Sequence, residues 1–249
     1  MPLTYKLIEF SELNSTNIYA KELARAGEAE GTLVTAQSQS EGYGRMGRKF
    51  YSPDSSGLYA SLILRPKTDC RKALLVTTAA CVAVSEAIDK LSGKRSGIKW
   101  VNDIYIGSKK VCGILCESAI SKNNGLLDYL ILGIGVNLYE PQNGFEDDIK
   151  GIAGAVFGSE YRKEMKTELQ KEIFDNFARY YEDLGSREIY CKYREKCFII
   201  GQKVNVIKNG AVFEHTVCDI DESFRLITKN DSGEYYLHDS GEVSLKCNI

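Results

Sequence analysis

The sequence predicts an α+β protein: a mixed, largely antiparallel sheet with packing helices over residues 1–198, then a small all-β unit over 199–249. Three observations point there. Stretches of helical periodicity alternate with short apolar runs along the first part. A hairpin pattern at 103–118 and the run at 126–136 extend a sheet of antiparallel type. From about Ile199 the texture changes to short β runs with turn signals between them.

Taken in order, a strand near residues 5–10 leads to a helix near 16–26 that stops at Gly27, and strands follow near 32–36 and 58–64. A long helix is expected from about Arg71 to Leu91. Lys99-Trp100-Val101 then leads through a polar break at Asn102-Asp103 into the hairpin, whose arms Ile104–Ile106 and Val111–Leu115 meet at the tight turn Gly107-Ser108. Lys110 begins the second arm. Residues 161–184 read as helix, with Leu169, Ile173, Phe177 and Tyr180 as a core stripe. In the last unit Val204 and Val206, Val212 to Ile220, Arg225 to Thr228 and Tyr235 to Leu237 read as strands, with Asn209-Gly210 as a turn.

At 249 residues the chain can bury one sizeable core and carry a small second domain. A net charge of −2 with interleaved signs suggests no general nucleic-acid or membrane surface, and no signal segment or spanning apolar run is present. The expectation is a cytoplasmic protein. The eight cysteines include no Cys-x-x-Cys pair and only His215 and His238 could join them, so they read as reduced, mostly buried thiols. Cys112 and Cys116, four apart on one expected strand, share a face, and a redox role for them is the weaker reading.

Two clusters carry chemistry. Lys99, Asn102, Asp103 and Lys110 deliver two ammonium groups, an amide and a carboxylate from a stiff strand-and-hairpin frame, which can hold an anion. Asn-Asp before a strand is also ordinary turn chemistry. In Gln39-Ser40-Glu41-Gly42-Tyr43-Gly44-Arg45-Met46-Gly47-Arg48-Lys49, three glycines let backbone approach a ligand, while Arg45, Arg48 and Lys49 can meet phosphate oxygens. The spacing Gly42-x-Gly44-x-x-Gly47 imitates a dinucleotide fingerprint, but Ser52-Pro53-Asp54 follows where that fold needs a helix. A P-loop is excluded because no Lys-Ser/Thr pair follows Gly47.

Ser15-Thr16-Asn17, Gln39, the loop Gly42 to Arg48, Lys99 to Asp103, Lys110-Val111-Cys112-Gly113 and Gly133-Ile134-Gly135-Val136-Asn137 stand in the order and spacing of biotin protein ligases, and the chain resembles that family over nearly its whole length. It departs from the family at Tyr43 and Met46, where the loop commonly reads Gly-Arg-Gly-Arg-x-Gly-Arg. Val101 replaces a common proline, and Phe50 a frequent tryptophan.

The resemblance implies a class II synthetase-like biotin/lipoate ligase catalytic domain and a carboxyl-terminal SH3-like barrel. It also implies an ATP-dependent ligase that forms biotinyl-5'-AMP, releases pyrophosphate and passes biotin to a lysine of a biotin carboxyl carrier domain in a carboxylase. Biotin and ATP are then substrates, with magnesium. The matched biotin positions are Ser15, Thr16, Asn17, Gln39, Gly42, Tyr43, Gly44, Arg45, Lys110, Gly113, Gly133 and Gly135. The ATP or adenylate positions are Arg45, Arg48, Phe50, Lys99, Asn102, Asp103, Lys110 and Asn137. Lys110 and Arg45 are the implied catalytic cations, and Asp103 the candidate magnesium ligand. Ser15-Thr16-Asn17 also reads as a helix N-cap, and Gly113, Gly133 and Gly135 as bulge positions. An acyl-adenylate is a mixed anhydride that water hydrolyses, so the loop at 42–50 is expected to cover it and to be mobile without ligand.

Other readings are a lipoate or octanoate ligase or transferase of the same fold, a biotin-sensing repressor and a biotin-binding non-enzyme. The Gly42 to Arg48 loop and Ser15-Thr16 favour biotin. The pattern begins by Ser15, which leaves no room for a DNA-reading domain. A homodimer stays open.

Overall fold

In the computed structural model the described residues are 3–66, 72–120, 126–159, 162–208, 211–239 and 242–245. Strand β1 (Lys6–Leu13), helix α1 (Thr16–Arg25) and strand β2 (Thr32–Gln39) form a βαβ unit in which β1 and β2 run parallel. Thereafter every pairing in the large sheet is antiparallel, through β3 (Gly57–Leu64), β4 (Ser96–Lys99), β5 (Asp103–Ile106), β6 (Lys109–Ile120) and β7 (Leu127–Asn137). The order across the sheet is β1-β2-β3-β7-β6-β5-β4. The sheet is therefore mixed and largely antiparallel, as the sequence predicts.

Alternation of side chains divides the sheet's faces between two sets of helices. Val34, Ile63, Tyr129 and Ile131 point to one face and are covered by Ala20 and Ala24 of α1. Leu33, Leu62, Leu130 and Leu132 point to the other, against α2 (Lys72–Ser92), which buries Val76, Ala80, Val84, Ala87 and Ile88 completely. Helix α3 (Lys163–Tyr181) adds Leu169, Ile173, Phe177 and Tyr180, the stripe anticipated from their spacing. Each fully buried Val, Leu, Ile or Phe side chain among these contributes about 1.5–3 kcal/mol.

Helix α4 (Arg187–Lys196) has no counterpart in the sequence reading. Its sequence is mostly polar and buries only Ile189 and Tyr193, one turn apart, so its apolar stripe is too thin to stand out. Its local signals are at the ends: Ser186 accepts a hydrogen bond from the Ile189 backbone amide, Glu188 lies in the first turn, and Arg194 and Lys196 lie in the last.

Strands β8 (Lys203–Lys208), β9 (Ala211–Ile220), β10 (Leu226–Lys229), β11 (Tyr235–His238) and β12 (Glu242–Leu245) form a second, antiparallel sheet in the order β11-β10-β9-β8-β12, which fits an SH3-like unit. Its apolar face joins the main core through Val204, Val217, Ile220, Phe224 and Leu226. The Asn209-Gly210 turn, Arg71, Cys70 and Cys247 lie outside the described residues. The described cysteines form no disulfide, and burial pushes the thiols of Cys112, Cys116 and Cys197 upward, to about 12 for Cys116 and Cys197. Cys112 and Cys116, four residues apart on one strand, are separated by roughly 13 Å, too far to pair. No helix among the described residues is long and apolar enough to cross a membrane.

Candidate active site

The face of the sheet that carries α1 is only partly covered by that helix, and beyond it lies an open cleft. Its floor follows from strand register. Tyr59 pairs with Gly135 and Ser61 with Gly133 across β3 and β7, while Gly113 pairs with Gly135 and Leu115 with Gly133 across β6 and β7. Three glycines on adjoining strands make a trough.

Two protein side chains lie in that trough. A Cβ on Gly133 would stand 2.2 Å from Asn17 Oδ1, and one on Gly135 would stand 2.7 Å from the Phe50 ring. Each glycine is thus required by a neighbour that itself lines the cleft.

At one end the cleft is made of hydroxyls and amides. Ser15 is the N-cap residue of α1 but makes no side-chain capping bond, so its hydroxyl is not used by the helix. Gln39 Oε1 accepts from the Thr16 backbone amide at 2.8 Å and from Thr16 Oγ1 at 3.1 Å, while Gln39 Nε2 donates to Ser52 Oγ at 2.9 Å. Ser61 Oγ lies 2.8 Å from Thr16 Oγ1 and 2.5 Å from Asn17 Oδ1. Ser61 was not anticipated, although a hydroxyl inside the otherwise apolar run Leu58 to Leu64 was the available signal.

The other end is cationic. Lys110 Nζ pairs with Asp103 Oδ1 at 2.7 Å. Simple alternation along β6 would put Lys110 on the face opposite Gly113, but the β5–β6 register shifts between Ile104 and Tyr105, and Val111 and Cys112 are both buried. This bulge turns Lys110 onto the cleft face, beside Asp103 and Gly113. Asn102 is fixed across β6 by donating Nδ2 to the Ile114 carbonyl at 2.7 Å, and its Oδ1 accepts from Arg45 Nη1 at 3.2 Å. Lys99 lines the same end, with its ammonium 6.0 Å from the centre of the Tyr105 ring.

The glycine-rich loop arches over both ends. A bridge between Tyr43 and Lys49, a 3-10 turn at Arg45–Gly47 and a hydrogen bond from the Phe50 amide to the Gly42 carbonyl fold it on itself. Met46 at its tip is exposed and has φ +58, and Gly47 has φ +71, a backbone region that favours glycine. Gly42 forms the base of the loop, since a Cβ there would meet the Phe50 carbonyl and Ser52 Oγ at 2.6 Å. Lys49 pairs with Glu146 at 2.7 Å.

Of the residues singled out from the sequence, Ser15, Thr16, Asn17, Gln39, Tyr43, Gly44, Arg45, Arg48, Phe50, Lys99, Asn102, Asp103, Lys110, Gly113, Gly133 and Gly135 line this one cleft. Gly42 and Asn137 do not. Asn137 donates Nδ2 to the Gly154 carbonyl at 3.1 Å and ties the end of β7 to the segment beyond it. Trp100 is 4 % exposed at the cleft margin, and its indole donates to the Phe224 carbonyl at 2.9 Å. Among the described residues no three His, Cys, Asp or Glu side chains cluster as a metal cage. A magnesium ion would therefore rely on the Asp103 carboxylate together with phosphates and waters, a donor set that suits it.

Residues 8–137 match the Biotin/lipoate A/B protein ligase family. The chain is 33 % identical over 230 residues to the bifunctional ligase/repressor BirA of Bacillus subtilis, spanning 91 % of this chain and 70 % of that protein. It is 29 % identical over 227 residues to the biotin--[acetyl-CoA-carboxylase] ligase of Paracoccus denitrificans, spanning 88 % and 92 %. Among solved structures, the biotin protein ligase from Aquifex aeolicus in complex with biotin and ATP superimposes with a TM-score of 0.77 at 29 % identity, over 97 % of this chain and 98 % of that one.

Proposed function

The chain belongs to the Biotin/lipoate A/B protein ligase family, and we propose that within it the chain is a biotin protein ligase that makes biotinyl-5'-AMP and transfers biotin to a lysine of a biotin carboxyl carrier domain. The observation that carries this reading is the polarity of one cleft. A hydroxyl-and-amide end suits a ureido ring, the floor at Leu115 and the Gly133 and Gly135 backbone with the Phe50 lid suits an aliphatic chain, and the cationic end suits a carboxylate meeting a triphosphate.

In the first step a biotin carboxylate oxygen attacks the α-phosphorus of ATP, and the bond to pyrophosphate breaks. Two anions must approach, so the step needs cations already in place. Lys110 bridges carboxylate and α-phosphate, Arg45 supports the same oxygens from the lid, and Arg48 and Lys99 serve the leaving phosphates. Asn102 and Asp103 face the nucleotide, Asp103 would hold magnesium, and Asn137, which does not line the cleft but holds the Gly154 segment, keeps its side-chain carbonyl for the adenine. Magnesium, when bound, neutralises phosphate charge. In the second step the amine of the carrier lysine attacks the biotinyl carbonyl, AMP leaves and the amine loses a proton. We place the boundary between catalytic and small β units at residues 198 and 199.

A lipoate ligase is the competing reading. A dithiolane would offer no polar partner to the Ser15 hydroxyl, which the helix leaves unused, or to the hydroxyl-and-amide end around it, whereas a ureido ring does. The test is incubation with labelled biotin, ATP, magnesium and a carrier domain, each omitted in turn. Label on the carrier only when all are present, with pyrophosphate released before transfer, is expected. Transfer without ATP, or preference for lipoate, would overturn the assignment.

A further inference from the structure

Tyr43 stands where the resembled family commonly carries arginine, and the structure gives its hydroxyl a specific partner set. It donates to Glu117 Oε2 at 2.8 Å and accepts from Lys21 Nζ at 3.0 Å, while Lys21 Nζ pairs with Glu117 Oε1 at 2.6 Å. Lys21 belongs to α1 and Glu117 to β6, so the tyrosine ties the glycine-rich loop to two scaffold elements at once. Glu117 Oε2 also accepts from Asn17 Nδ2 at 2.8 Å. One carboxylate oxygen thus holds both the lid and a residue of the amide end of the cleft.

The charge states suit a permanent tie. Burial pushes Glu117 up, but hydrogen bonds from Lys21, Asn17 and Tyr43 outweigh it and leave the carboxyl below its usual range. Burial raises the Tyr43 phenol, and Lys21 is raised by its bonds to Glu117 and Tyr43 despite partial desolvation. Near neutral pH the triad keeps a carboxylate, an ammonium and a neutral phenol.

We propose that Tyr43 is a positioning residue that moors the glycine-rich loop over the cleft before substrate arrives, with the Lys21–Glu117 ion pair as its mooring, and that Glu117 links occupation of the Asn17 end to closure of the lid. The mooring substitutes for ligand contacts that would otherwise have to order a loop containing Gly42, Gly44 and Gly47. It also gives the missing arginine a physical replacement: the cation is supplied by α1, and the loop supplies the hydroxyl that meets it. Only the link to cleft occupation rests on the biotin-and-ATP reading.

Trypsin cleavage after Arg45 and Arg48 in the ligand-free full-length protein reads the mooring without any ligase chemistry. Tyr43→Phe keeps the ring and removes the hydroxyl, and is expected to raise the cleavage rate by roughly tenfold or more, as loss of one charge-assisted anchor does. Lys21→Met should do the same, and the double variant should add little, because both remove one tie. Tyr43→Arg places a second cation beside Lys21 and should also open the loop, whereas Tyr43→Arg with Lys21→Met lets the new guanidinium pair with Glu117 and should restore slow amide hydrogen exchange over residues 44–49, the readout used for these two variants because Arg at 43 is itself a tryptic site. That rescue is not expected from a merely structural role. Wild-type cleavage in Tyr43→Phe, or no rescue in the swapped pair, overturns the mooring. For the link, biotin with ATP should slow cleavage of wild type more than of Glu117→Gln, and equal protection refutes it. Failure of wild type to transfer biotin would instead overturn the functional reading and leave the ligand-free result standing.

Discussion

Lys110→Ala should lower the rate of adenylate formation by more than the loss of one hydrogen-bond donor. Its ammonium lies 2.7 Å from Asp103 Oδ1, with the two side chains 29 % and 20 % exposed, so in the wild type Lys110 both faces the cleft and neutralises a carboxylate at its cationic end. Removing a donor aimed at developing negative charge costs about 10²–10³ in rate. The variant also leaves Asp103 uncompensated where an anion must approach. At about 6 Å, an effective dielectric between about 80 and 20 makes that repulsion about 0.7–2.8 kcal/mol, or about threefold to hundredfold. Lys110→Ala alone should therefore fall by about 3 × 10² to 10⁵ in biotin-dependent pyrophosphate release at saturating biotin. Lys110→Ala with Asp103→Asn should recover at least about threefold of the loss, the repulsive part. The melting temperature should hardly move, because a partly exposed pair contributes about 0–1 kcal/mol. A single variant within tenfold of wild type would refute the assignment of Lys110. A double variant no faster than the single would show that nucleotide or magnesium binding by Asp103 outweighs its charge.

Three further outcomes follow from the same geometry. Arg45→Gly removes the lid's bond to Asn102 and adds backbone freedom, so activated biotin should escape and label a bystander protein lacking a carrier domain; equal bystander label at matched adenylate production would show that Arg45 does not retain it. Gly133→Ala drives a Cβ to 2.2 Å from Asn17 Oδ1, which should cost about 1–3 kcal/mol and weaken biotin binding by displacing Asn17; calorimetry with unchanged biotin affinity would contradict this. His215 is buried and bonds Thr228, which also bonds His238, and burial lowers the His215 pKa. Its neutral form is the one the fold favours, so this contribution is present above the unfolded value near 6.5 and is lost as pH falls through the lowered native one. Thermal melts from pH 7.5 to 5 should show a loss that His215→Gln reduces; identical slopes would rule the residue out.

Strands were legible because alternation and turn residues are local. Leu58 to Leu64 and Leu127 to Asn137 needed no tertiary information to be recognised, whereas α4 announces itself through Ser186, Glu188 and its basic end more than through Ile189 and Tyr193. The site was legible as motifs but not as geometry. Neither Lys21 nor Glu117 belongs to a motif, and they meet Tyr43 only because α1 lies over β2, β3 and β7, Lys21 reaches across to Glu117 on β6, and the loop returns to both. Ser61 and Ser52 likewise act on Thr16, Asn17 and Gln39 across long sequence separations.

The most consequential unreadable feature is the bulge at β5–β6. Counted from Gly113, period-two alternation assigns Lys110 to the buried face, where an unpaired ammonium would be costly. The chain avoids that by burying Val111 and Cys112 in succession, and the inserted residue moves Lys110 to the side of Asp103. The main chain of Lys110 is then clamped from both directions, its amide donating to the Ile152 carbonyl at 2.7 Å and its carbonyl accepting from the Gly154 amide at 2.9 Å. The Gly154 carbonyl in turn receives Asn137, and a Cβ on Gly154 would lie 2.5 Å from Lys109 Cβ. Asn137 therefore reaches the cationic end through backbone as well as through any ligand: it holds the segment that holds Lys110. Replacing its amide should disturb the placement of that ammonium even where adenine is absent, and the pH-independent loss of pyrophosphate release in Asn137→Ala should exceed what one adenine contact explains.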